Sequence, residues 1–93
     1  MISDHDLIQY LDDLLDIDEI DDDSLNGIQV DGEGKLDKIG FAVDCRRDTL
    51  EKAVEEGVDL FVVHHGLIWG GGLGRLKGRL YDLVEMMITN GIA

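Results

Sequence analysis

Apolar residues first recur at helical spacing: Leu7, Ile8, Leu11, Leu14 and Leu15 share one face of a 3.6-residue period. Ser3 stands ahead of them with Asp6 three residues on, a box-like cap, and acidic residues in the first turn suit the helix dipole. A helix is therefore expected over 4–15. The pattern dissolves at Asp16 into a polar stretch that ends "SLNGIQV". Asn26-Gly27 is a turn dipeptide able to supply positive φ, and Ile28 to Val30 read as a short extended segment before a second turn, "DGEG".

The best-defined unit begins at Lys38. "KIGFAVD" is a short β-branched and aromatic run, expected as a strand over about 38–44. Asp48 with Glu51 makes a capping-box-like start for a helix to Glu56, striped by Leu50, Ala53 and Val54, with Gly57 fitting the position just past its end. "DLFVVHH" is apolar without alternation, as in a strand covered on both faces. Strand, helix, strand with short connections predicts a βαβ unit with parallel strands and a right-handed crossover. After a glycine-rich loop, Leu80, Leu83, Val84, Met87 and Ile88 give another amphipathic helix closed by Gly91, and Ile92-Ala93 begin a third strand. The expected class is α/β: a βαβ unit within a mixed or parallel sheet flanked by helices, as a single domain over 1–93.

Composition narrows what such a domain does. A chain of 93 residues holds one modest core, and an apolar share of 44% is that of a globular protein. No apolar run nears the ~18–20 residues of a membrane span, and the start "MISDHDLIQYLDD" has no basic flank or long apolar core for a secretory signal. The single cysteine, Cys45, excludes an intrachain disulfide and points to the reducing cytoplasm. The net charge is -13, and no Lys or Arg occurs before Lys35. Such a surface repels phosphate backbones and argues against nucleic-acid binding. The early acidic run lacks the order of an EF-hand. It reads as a solvated face suited to a high-salt interior, where self-repulsion is screened.

The candidate chemistry sits at the strand ends. In parallel sheets, ligands collect at the carboxyl ends of strands. His64 and His65 end one strand and Asp44 ends the other. Imidazole with carboxylate suits Zn²⁺, Mn²⁺ and non-haem iron. Adjacent strand residues point to opposite faces, so a histidine pair serves two ions more readily than it chelates one. The bland alternative is a satisfied, half-buried His64 beside a loop histidine. Gly70, Gly71, Gly72 and Gly74, with Arg75, Lys77 and Arg79, offer a phosphate cradle. Their spacing matches neither nucleotide fingerprint, and a connector or lid is the plainer role. Arg46 and Arg47 beside Cys45 could lower its thiol pKa, but no histidine is placed locally to activate it, and catalysis by Cys45 is not expected. Trp69 reads as packing or a site wall, and His5 as exposed.

"LNGIQV", then strand, helix, "GVDLFVVHHGLIW" and a glycine-bearing loop resemble the NGG-one-interacting-factor-three-like family, across nearly the whole chain. Its members are dinuclear metal-centre proteins that carry the name GTP cyclohydrolase I type 2 homologue. The resemblance implies that His64 and His65 are metal ligands, one for each of two divalent ions (Zn, Mn or Fe). It also implies a mixed α/β fold and a homohexamer with the sites facing an internal cavity. The activity implied is metal-dependent hydrolysis of a small nucleotide or phosphoester, with a non-catalytic metal-binding or scaffold/regulatory assembly module as the alternative. Family members are more than twice this length. Their remaining ligands lie downstream, in a histidine-and-aspartate motif and a C-terminal His-x-x-x-Glu. This chain is thus expected to supply part of the metal site and to be inactive alone. It would be the N-terminal portion of a larger α/β fold, or would be completed by a second polypeptide. Asp44 matches no family ligand and rests on its rim position alone.

Overall fold

A computed structural model describes residues 2–21, 25–68 and 75–93. Strand β1 (Ile2–Ser3) leads into helix α1 (Asp4–Leu14). The Ser3 hydroxyl accepts the Asp6 N–H at 3.2 Å, the cap that the sequence predicts. Only one turn of 3₁₀ helix, Ile17–Glu19, follows before the polar stretch. Strand β2 (Lys35–Leu36) pairs antiparallel with β1, Ile2 opposite Leu36, and the Asp4 N–H reaches the Gly34 carbonyl at 2.9 Å. These two short strands carry no period of their own, so patterning does not reveal them.

Strand β3 (Ile39–Asp44), helix α2 (Arg47–Glu55) and strand β4 (Leu60–His65) form the expected parallel unit, with Ile39 opposite Leu60 and Asp44 opposite His65. Helix α2 starts earlier than the Asp48–Glu51 pair suggests. Arg46 is its N-cap, and the Thr49 hydroxyl accepts the Arg46 N–H at 2.9 Å while donating to the Asp44 carbonyl at 2.8 Å. Glu51 instead pairs with Arg47 at 2.8 Å, one helical turn away. Gly57 ends the helix at φ 72°, where a side chain would be strained. Helix α3 spans Gly78–Thr89 and closes at Gly91. Beyond it the Ala93 N–H binds the Asp59 carbonyl (2.9 Å) and the Phe61 N–H binds the Ala93 carbonyl (2.8 Å). That is one rung of parallel pairing beside β4, where the sequence places the start of a third strand.

Alternation on β4 sends Phe61 and Val63 to one side and Leu60 and Val62 to the other. The first side packs on Leu50 and Ala53 of α2 and Leu83 and Met87 of α3. The second packs with Leu36, Ala93 and Leu7 of α1. A strand covered on both faces is what its unbroken apolar run predicts. Two expectations fail. Ile28–Val30 is bent rather than extended, because its hydrogen bonding runs through a side chain, Gln29. Leu14 and Leu15 continue the apolar stripe of α1 yet are exposed, because the stripe packs into the core near its start, at Leu7.

Candidate metal-binding site at the sheet rim

His64 and His65 close β4, and Asp44 closes β3 beside them. Parallel pairing puts Asp44 opposite His65, and Asp44 Oδ1 lies 2.8 Å from His65 Nδ1. A carboxylate only accepts, so Nδ1 carries the proton and Nε2 becomes the basic nitrogen of that ring. This is the tautomer in which a carboxylate orients an imidazole toward a metal. The two rings lie with centroids 4.5 Å apart and planes tilted by 44°. Both side chains are exposed, so neither is the half-buried, satisfied core histidine of the bland alternative.

The pair shares one hollow on the α1 side, with Phe41 and Val62, and each ring also borders a space of its own. His64 faces an apolar cavity of about 180 Å³ between α1 and the sheet, walled by Leu11, Leu15, Ile28, Val62 and Leu67. His65 opens into a cleft of about 580 Å³ on the other side, with Asp44, Cys45, Arg46, Lys77, Arg79 and Leu80 around it. Three of the chain's eight cationic residues thus line one cleft in a protein of charge -13. Arg46 is paired with Asp48 at 3.1 Å. Among the described residues Lys77 and Arg79 form no ion pair. Lys77 is the N-cap of α3 and Arg79 lies in its first turn, so the basic run opens the helix rather than merely preceding it.

The donor chemistry fits a divalent ion, since two exposed imidazoles, one held by a carboxylate, are borderline-soft ligands. Among the described residues no group of three or more His, Cys, Asp or Glu gathers that could hold a metal ion. Cys45 is not an activated thiol. It is buried, and burial pushes its pKa up while the Arg79 cation pulls it only partly back. Arg46 and Arg47 follow it in sequence but do not lower it, because their guanidinium groups pair with Asp48 and Glu51. His5 is exposed, as expected. Trp69 and the loop of Gly70, Gly71, Gly72 and Gly74 lie outside the described residues.

Sequence reasoning missed Gln29. Its Oε1 accepts the N–H groups of Leu67 (2.8 Å) and Ile68 (3.0 Å), and its Nε2 donates to the carbonyls of Ile68 (2.7 Å) and Leu25 (2.9 Å). The signal was present, since "NGIQV" and "HHG" both anchor the resemblance. Their contact spans 38–39 residues, and no local pattern encodes it.

Comparison with known proteins gives the same frame. A Pyrococcus abyssi protein named GTP cyclohydrolase 1 type 2 homolog is 44% identical over 84 residues, covering 90% of this chain and 33% of its own. A Halobacterium salinarum protein of the same name is 40% identical over 89 residues, covering 95% and 35%. The chain thus spans about a third of the length of the curated relatives it matches. Among solved structures, TTHA1606 from Thermus thermophilus superposes with TM-score 0.89 at 40% identity, covering 98% of this chain and 38% of that one. A protein called ybgI, described as of unknown function, gives TM-score 0.91 at 30% identity, covering 98% and 37%. Residues 2–93 match the Duf34/NIF3 (NGG1p interacting factor 3) family, and the chain belongs to it.

Proposed function

We propose that this chain contributes His64 and His65 to a two-metal site that carries out hydrolysis on a small phosphate-bearing substrate, such as a nucleotide or phosphoester. The observation that carries the reading is the pair of exposed imidazoles 4.5 Å apart at the carboxyl end of β4, one of them oriented by Asp44. A bound divalent ion would supply a hydroxide at neutral pH and polarise the bond to be cleaved. The chain's own residues supply the rest. Asp44 holds the His65 ring in the tautomer that presents Nε2. Arg46, Lys77 and Arg79 give the cleft beside His65 a positive wall against which an anionic group can settle, offsetting the repulsion of an acidic protein.

The name borne by the relatives, GTP cyclohydrolase 1 type 2 homolog, supports a nucleotide among the substrates to be tried. Two imidazoles are few ligands for two ions, which supports completion of the site by further protein, in the homohexamer that the family resemblance implies. No helix among the described residues is long and apolar enough to cross a membrane, and the one cysteine is buried and free, which supports a cytoplasmic setting.

Metal content decides the matter first. The 93-residue chain, dialysed against Zn²⁺ or Mn²⁺ and analysed by mass spectrometry, should retain metal that His64→Ala plus His65→Ala abolishes. Equal retention in the double variant sinks the metal reading. Assay of a full-length relative, with and without the same two substitutions, against nucleotides and phosphoesters then separates a hydrolase from a metal-binding scaffold module.

A further inference from the structure

We infer that Gln29 is the positioning residue of the histidine pair: its amide fixes the chain as it leaves β4 and thereby sets where His64 and His65 point. An amide side chain offers two acceptor lone pairs and two N–H donors, and Gln29 uses all four. Three of the four bonds go to Leu67 and Ile68, the second and third residues after His65. The amide therefore acts as a one-residue strand, taking N–H groups and returning a hydrogen to a carbonyl as a neighbouring backbone would.

The contact from Asp44 orients the His65 ring, whereas the Gln29 amide holds the backbone that follows it. Among the described residues, the backbone of Gly66, Leu67 and Ile68 makes no hydrogen bond to other backbone, and the last contact from β3 is the long 3.4 Å bond from the Cys45 N–H to the His65 carbonyl. Gly66 is part of the same device. A Cβ there would stand 2.5–2.8 Å from the Gln29 amide, so only glycine lets the amide seat against the chain. Neither is the role one of shape alone. Glutamate would keep the two accepted bonds but face the carbonyls of Leu25 and Ile68 with a second acceptor, and methionine would keep the length with no bond.

The geometric claim stands on these bonds. Its consequence for metal affinity rests on the reading of His64 and His65 as ligands, and the test separates the two. ¹H–¹⁵N spectra of the imidazole rings would be recorded for the chain and for Gln29→Met, Gln29→Glu and Gly66→Ala, with His5 as internal reference and Gln9→Met as a control. Co²⁺ binding would be followed in the same samples by visible absorption. Each of the three variants should shift or broaden the ring signals of His64 and His65, leave His5 in place, and weaken Co²⁺ binding by about 10-fold or more. The control should do none of this, because among the described residues the Gln9 amide bonds only to Asp13 on its own helix. Ring signals of His64 and His65 unmoved in Gln29→Met overturn the inference. If that variant does not fold, unmoved signals in Gly66→Ala, which retains Gln29, overturn it equally. Shifted ring signals with Co²⁺ binding that also survives His64→Ala plus His65→Ala would uphold the positioning role and remove the metal reading instead.

Discussion

Asp59 takes the N–H groups of Asp37 (2.9 Å) and Lys38 (3.0 Å) on one carboxylate oxygen. Its own backbone N–H binds the Lys38 carbonyl at 2.7 Å, so a single residue ties the entrance of β3 to that of β4. The two accepted bonds favour the ionised form and hold the carboxyl below its ordinary value. A depressed folded-state pKa gives stability that is present above the unfolded pKa of about 3.9 and is lost as pH falls through the lower folded value. Asp59→Asn should therefore be less stable than the parent at neutral pH and lose less stability on acidification below about pH 4. Urea unfolding of both proteins across that range checks this, and parallel pH profiles would show that the carboxylate is not linked to folding. Neither Asp59 nor Gln29 is legible in the sequence. Each does its work through partners 21 or more residues away, and its residue type is equally at home on a solvated surface.

The regular elements are where sequence reasoning succeeds, since helix and strand periods are local properties. Helix α1, the βαβ unit and α3 follow from spacing alone, with errors of a residue or two at the ends. The start of α2 shows why ends are harder. Within "RRDTLE" the pattern suggests Asp48 with Glu51, while the structure uses a second pair, Arg46 with Thr49. The second prevails because the Thr49 hydroxyl also reaches the Asp44 carbonyl at the end of β3, which Asp48 does not bind. Thr49 thus joins helix start to strand end at the residue that orients His65. Thr49→Val keeps the shape and removes both bonds, and should cost about 1–2 kcal/mol in chemical denaturation. An unchanged midpoint would mean that the hydroxyl holds nothing.

At the scale of the molecule, two surfaces stand out. The first is the charge of -13, concentrated before Lys35. Self-repulsion opposes compaction, and salt at molar strength shortens its reach to about 3 Å. The thermal midpoint should accordingly rise between low and multimolar KCl, and equal stability in both would remove the salt-adapted reading. The second is apolar. Phe41 is 72% and Val43 61% exposed on the α1 side of β3, with Leu14, Leu15 and Ile20 exposed nearby on α1 and the turn after it. Among the described residues the opposite face instead closes over Leu50 and Ile92.

Hydrophobic period, capping residues and the apolar run into a double histidine were enough for the α/β class, the parallel pair and the carboxyl-end position of His64 and His65. These are set by the residues themselves and by the two-residue repeat of a strand. Tertiary structure alone decided that Asp44 would meet His65, that burial would quieten Cys45, and that Gln29 would grip the chain beyond β4. Each depends on segments far apart in sequence being brought within 3 Å or packed together, and a one-dimensional pattern carries no record of such distances.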